Sequence, residues 1–349
     1  MREKNDSTPD GGIKLIDDYQ HRLTSSSIGE WNLWGNLKEV IVGSAEGAIL
    51  GEFEPLHQDL ASPELIDLMK SGNGRYLKDA APEFYDGIQS ESEALVKIYE
   101  SYGVKVHRPR VIRPDEVAYS LGHGANNIFA CDPFWCVGRN VMESSWRKLG
   151  GRPQKWSIRE LYQAKVDADP QVLLQSCPWP SPGALGDYFF EVGDMLLVGN
   201  GNVILSYNDE GTSSNLRGCE WAKRALEADG FKVTIIKLPK TKILHLYAVL
   251  CIIGPGTVIA YEGAFPNKKL PTPIKDWNVV WCDFEEAKQT AACAVNINRG
   301  TVLLPSKAPK TISAVQNLGF DVVDLDFTYH ALGEGGIRCA TGVIYREID

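Results

Sequence analysis

Four side chains in this 349-residue chain have the type and setting for covalent chemistry. Near the carboxy end, Gly333-Glu-Gly-Gly-Ile-Arg-Cys-Ala-Thr341 puts glycines before Cys339, which lets backbone come close to a ligand, and Arg338 beside it would favour the thiolate. A thiol nucleophile needs a general base within hydrogen-bond reach. His245, alone among apolar residues in Lys242-Ile-Leu-His-Leu-Tyr-Ala-Val-Leu250, is the histidine with the most buried surroundings. Phe189-Phe-Glu-Val-Gly-Asp-Met-Leu-Leu197 opens a strand with two acids, Glu191 and Asp194. At that spacing an extended strand would put them on opposite faces. Asn126-Asn-Ile-Phe-Ala-Cys-Asp-Pro-Phe-Trp-Cys-Val-Gly138 sets Asp132 before a proline and an apolar strand. Taken singly, each has a plainer reading: a turn with a half-buried cysteine, a satisfied core histidine, a solvated strand end, an Asp-Pro turn.

The elements that would carry these residues recur. Five apolar runs each meet a glycine: Glu39–Gly43, Phe134–Gly138, Met195–Leu205, Cys251–Ile259 and Val295–Leu304. The last three continue past their breakers as hairpins. Three amphipathic helices end on glycine and lead into strands, at Ala94–Val106, Cys219–Ile236 and Ile312–Val323. Helices outside and hairpins inside, repeated about five times, predict a closed radial α/β arrangement. Residues 1–28 read as a flexible polar tail and 29–349 as a single domain. Pro266–Asp276 and Gly51–Asp86 read as surface loops that would hold specificity.

Composition excludes other classes. With 36 basic and 45 acidic side chains the net charge is −9, which argues against nucleic acid as a partner. No stretch reaches the roughly 18 apolar residues of a membrane span. The amino terminus has neither the apolar core of a secretory signal nor transit-peptide character. The eight cysteines are spaced like neither a disulfide framework nor a zinc site, so a reducing cytoplasm is the expected setting.

The order of the four motifs along the chain resembles the guanidino-group-modifying superfamily of arginine deiminases, dimethylarginine hydrolases and amidinotransferases. Asn-x-x-Phe-x-x-Asp-Pro-Phe, Glu-x-Gly-Asp, His-Leu before Ile-Ile-Gly-Pro-Gly, and Gly-Gly-x-x-Cys all occur in sequence. The opening from Glu30 to Gly47 is similar to glycine and inosamine-phosphate amidinotransferases. The resemblance implies a five-module pseudo-symmetric α/β-propeller (the pentein fold) with Cys339 as nucleophile, His245 as acid/base, Glu191 as the carboxylate at the guanidinium and Asp132 as a second anchor. It also implies an amidino-cysteine intermediate, resolved by an amine in a transferase or by water in a hydrolase. The partners would be a guanidino donor and an amine acceptor. Neither metal nor organic cofactor is called for, and the oligomeric state is left open. Two positions depart from the family pattern. Tyr247 stands where deiminases and amidinotransferases carry a second Asp, and Ala260–Phe265 lacks the arginine that takes the donor carboxylate.

Overall fold

The computed structural model describes residues 28–51, 63–181, 186–208, 213–238 and 245–347. Within them, five three-stranded sheets share one topology. A middle strand runs antiparallel to one neighbour and parallel to the other. Four antiparallel pairs are local hairpins: Phe134–Val137 with Asn140–Glu143, Met195–Gly199 with Asn202–Tyr207, Leu250–Gly254 with Thr257–Tyr261, and Val295–Asn298 with Thr301–Pro305. The fifth is not a hairpin. Leu37–Val42 pairs with Thr341–Arg346 from the far end of the chain, while Ser44–Ile49, beyond Gly43, joins Ala125–Asn127 in a small separate sheet.

The parallel strand of each sheet arrives by a crossover. Helices Pro82–Ser101, Leu216–Glu227 and Pro309–Asn317 lead into Lys105–His107, Lys232–Lys237 and Asp321–Leu325, as the amphipathic spacing predicts. Gly103, Gly230 and Gly319 take φ of 75°, 89° and 88°, the left-handed conformation that ends a helix without a Cβ clash. A further helix, Trp156–Ala168, plays the same part before Leu173–Ser176. It has no terminal glycine, so the signature that marks the other three is missing. In the remaining crossover, prolines at 266, 271 and 273 replace a long helix with short 3₁₀ turns before Asn278–Cys282.

Inner strands such as Leu250–Gly254 and Thr301–Pro305 are buried along their whole length, which is why they read as unbroken apolar runs. One cluster of buried residues reaches from Leu33 through Phe190 and Leu250 to Cys339 and supports the site from beneath. Two expectations change here. The predicted tail lies outside the described residues except for Ile28, which packs in the core against Ile41 and Ile344. The stretch read as a loop from Gly51 to Asp86 contains helices Pro63–Gly72 and Leu77–Ala80 and the start of Pro82–Ser101. All eight cysteines are free thiols. Among the described residues no helix is long and apolar enough to cross a membrane.

Candidate active site

Glu191 does not open a strand. A single 3₁₀ turn, Val192–Asp194, separates it from Met195, closed by the Asp194 N–H donating to the Glu191 carbonyl at 3.0 Å. The turn puts both acids to work around one segment, correcting the expectation of opposite faces. Glu191 Oε2 lies 2.8 Å from His245 Nε2, while Asp194 accepts from the Leu246 N–H at 3.2 Å. Gly193 is required at the bend, because a Cβ there would lie 2.5 Å from the His245 ring and 2.7 Å from that of Tyr247. The Glu-x-Gly-Asp motif is thus an acid, a space for histidine, and an acid that fixes the backbone at Leu246 just after the histidine. Ser206 and Ser214 hold Asp194 from the other side, and the Arg147 N–H donates to Glu191 Oε1 at 3.2 Å.

His245 is buried, which disfavours its charge. The hydrogen bond to Glu191 and the fields of Asp194, Asp132 and Glu191 outweigh that and raise its pKa to about 9. The imidazolium is therefore the resting form, suited to donating a proton. Asp132 follows the turn at Phe129, and its carbonyl accepts from Ser144 Oγ at 2.6 Å. Burial raises its pKa to about 6, against the pull of His245 and a hydrogen bond from the Tyr247 hydroxyl to Oδ1. Tyr247 thus occupies an oxygen of the Asp132 carboxylate.

Cys339 sits in the short helix Ile337–Ala340 and is 5% exposed. Its carbonyl accepts from the Cys131 N–H at 3.0 Å, which fixes the turn beside the Asp132 loop. Its sulfur bonds none of the other three residues. Its neighbour is Cys293, with the two Sγ atoms 3.4 Å apart. Gly336 permits this, since a Cβ there would meet Cys293 Cβ at 2.7 Å. Burial, followed by the contact with Cys293 and the field of Asp132, pushes the Cys339 thiol well above its ordinary range. The free site therefore holds a protonated thiol among excess acids, and a bound cation would favour the thiolate.

Arg338 plays a different part from the one its position predicts. Its guanidinium bonds Glu30 Oε2 at 3.2 Å and lies over the Trp135 ring, with no bond to the Cys339 sulfur. Sequence reasoning missed Cys293, Ser214 and Trp146, whose ring stands edge-on to His245 with centroids 6.3 Å apart. None of the three lies in a recognisable motif. Among the described residues no group of three His, Cys, Asp or Glu is gathered to hold a metal ion.

No family model matches the chain. Its relatives are the enzymes that the four motifs anticipate, those of the guanidino-group-modifying superfamily. The L-arginine:L-lysine amidinotransferase of Pseudomonas savastanoi pv. phaseolicola is 21% identical over 96% of this chain and 98% of its own. The dimethylarginine dimethylaminohydrolase of Pseudomonas aeruginosa is 26% identical over 61% of this chain and 75% of its own. Among solved structures, SxtG, an amidinotransferase of the saxitoxin pathway of Microseira wollei, superposes with a TM-score of 0.77 at 21% identity, covering 92% of this chain and 98% of that one. The α/β fold is shared with these amidinotransferases.

Proposed function

We propose that the protein is an amidinotransferase that moves an amidino group from a guanidino donor to a primary amine through Cys339. The observation that carries this reading is the Glu191–His245 pair at 2.8 Å, set among Asp132, Asp194 and a buried thiol. Three carboxylates against one imidazolium leave the site short of positive charge, which a guanidinium supplies. Asp132 and Glu191 would grip its planar N–H groups and hold its carbon over the sulfur. The bound cation lowers the thiol pKa, the thiol releases its proton to solvent because His245 already carries one, and the thiolate adds to the guanidinium carbon. The C–N bond to the leaving amine then breaks as His245 gives that nitrogen its proton, leaving an amidino group on sulfur. An incoming amine adds to the same carbon, its proton passes to His245, and the C–S bond breaks to return the thiolate.

The wider architecture belongs to the same reading. Five sheets of one topology, with the first strand paired to the last, support a closed pentein propeller around the site, formed as one domain from residue 29 onward. Free buried thiols fit a reducing cytoplasm.

Hydrolysis is the second reading, favoured by Tyr247. Its hydroxyl on Asp132 replaces a second guanidinium-binding acid. Mass spectrometry after incubation with arginine and substituted guanidines, with and without a mixture of primary amines, separates the two. A new guanidino product that appears only with amines, together with a trapped amidino adduct on Cys339, supports transfer. A urea-type product such as citrulline, formed without any acceptor, would make the protein a hydrolase.

A further inference from the structure

We propose that Cys293 and Cys339 form a redox modification site, in which Cys293 is the resolving thiol that closes a reversible disulfide onto the proposed nucleophile when the protein meets a peroxide. This goes beyond the guanidino reading and needs only a reactive Cys339, so a failure of every guanidino compound to react would leave it standing. Its ground is a sulfur-to-sulfur contact. Cys219, Cys251 and Cys282 donate their S–H to backbone carbonyls, those of Ser206, Ala294 and Ala260, at 3.1, 3.3 and 3.6 Å. Cys293 and Cys339 instead meet each other, with the Sγ atoms 3.4 Å apart. A disulfide brings two sulfurs to about 2.05 Å, so closure asks for a shift of about 1.4 Å.

The backbone holds the two sulfurs together. The Arg338 N–H donates to the Cys293 carbonyl at 3.1 Å, tying the two segments one residue before Cys339. Gly336 leaves the space that Cys293 fills, since a Cβ there would lie 2.7 Å from the Cys293 Cβ. Thr290, whose carbonyl accepts from the Cys293 N–H at 2.9 Å, takes a φ of 61°, a left-handed conformation unfavourable for a β-branched residue. Strain of that kind persists where the surrounding structure over-determines it, and the turn so held is the one that seats Cys293. Cys293 is 1% exposed and Cys339 5%, so a small oxidant meets Cys339 first. The Cys339 thiolate attacks one peroxide oxygen and the O–O bond breaks. Sulfur is oxidised to a sulfenic acid, and the other oxygen leaves as hydroxide. The Cys293 sulfur then attacks the Cys339 sulfur, the S–O bond breaks, and the Cys293 proton leaves with that oxygen as water. With the proton that Cys339 gave up, two thiols and one peroxide become one disulfide and two waters. An external dithiol reverses the change by exchange. The disulfide withholds the sulfur from an electrophile and spares it the irreversible sulfinic state.

The test treats the full chain with excess hydrogen peroxide at mildly alkaline pH, where the thiolate fraction is larger, and maps unreduced tryptic peptides by mass. Trypsin cuts after Lys288, Arg299, Arg338 and Arg346, so Cys293 and Cys339 fall in separate peptides, 289–299 and 339–346, with one cysteine each. In the wild type the two peptides should appear joined, lighter than their sum by a pair of hydrogens. Iodoacetamide labelling of Cys339 should fall by about tenfold or more and return with dithiothreitol. Under the same peroxide, Cys293→Ser should lose that reversibility, with Cys339 carried on to sulfinic or sulfonic acid and labelling no longer restored. Circular dichroism checks that the variant folds, and the wild-type peptide map decides alone if it does not. Uptake of oxygen at wild-type Cys339 without joining to 289–299, or joining to the peptide of Cys131 instead, overturns the proposal. So does a pair in which neither cysteine is oxidised, or a Cys293→Ser variant that recovers with dithiothreitol as the wild type does.

Discussion

The short helix Ile337–Ala340 contributes Arg338 to one of two buried charged clusters and Cys339 to the surroundings of the other, and the two share almost every superficial property. On one side Glu30, fully buried, accepts from Trp135 Nε1 at 2.6 Å, from Arg346 Nε at 2.9 Å and from Arg338 at 3.2 Å. On the other, Glu191 meets His245 at 2.8 Å, with Asp194 and Asp132 close by. Burial and ion pairing do not distinguish them. Balance does. Glu30 faces two permanent cations that nothing in the molecule can discharge. The second cluster is acid-rich, and its titrating groups are both displaced upward, Asp132 to about 6 and His245 to about 9. The first cluster has the balance of a structural ion pair, and on the proposed reading the second accepts a cation and moves a proton.

Substitutions should break the two clusters in different ways. The largest effect expected is from Cys339→Ser, a loss of turnover of about ten-thousand-fold or more. The urea midpoint should barely move, and a matching loss of stability would mean the thiol is structural. Glu30→Gln should do the reverse. It strands two buried guanidinium groups and lowers unfolding free energy by about 3–5 kcal/mol in urea titration. Alkylation of Cys339 in the folded fraction should keep its wild-type rate. His245→Asn should cost about a hundred- to ten-thousand-fold in kcat/KM.

The pH dependence sharpens the contrast. Asp132 must be ionised and His245 protonated, so kcat/KM should rise through about pH 6 and fall through about pH 9. Stability follows the same histidine. Its folded pKa lies above the ordinary 6.5, so its contribution is fully present below pH 6.5 and disappears as pH rises through about 9. His245→Asn should remove that decline. The smallest effect is at Tyr247→Phe. It deletes a hydrogen bond that lowers the Asp132 pKa, so the acid limb should move to higher pH by about one unit or less. An unmoved limb would show that Asp132 does not set it.

What the sequence reveals divides along physical lines. Three of the four hairpins and three of the four helix-to-strand crossovers are legible because apolar period and terminal glycines are local signals. Cys339, Glu191 and Asp132 stand out through the glycines and prolines near them, and His245 as a lone histidine in an apolar run. Arg338 misled, since proximity in sequence says nothing about which way a side chain leaves a helical turn. The Glu191–Asp194 geometry misled for a related reason, as one 3₁₀ turn reverses a face that strand alternation assigns. Cys293 was silent, because its place beside Cys339 comes from a 3.4 Å contact across 46 residues that leaves no trace in composition or spacing.

The pairing of Leu37–Val42 with Thr341–Arg346 also sets a timetable. Nearly the entire chain must be synthesised before the first long strand meets its antiparallel partner, a contact of the greatest sequence separation and therefore slow to form. Cys339 lies two residues ahead of that strand, so the proposed nucleophile is seated with a late-made element. During translation the waiting edge of Leu37–Val42 is open to wrong partners. A chain stopped short of this strand would lack the proposed site, because Cys339 arrives just ahead of the strand that finishes the first sheet.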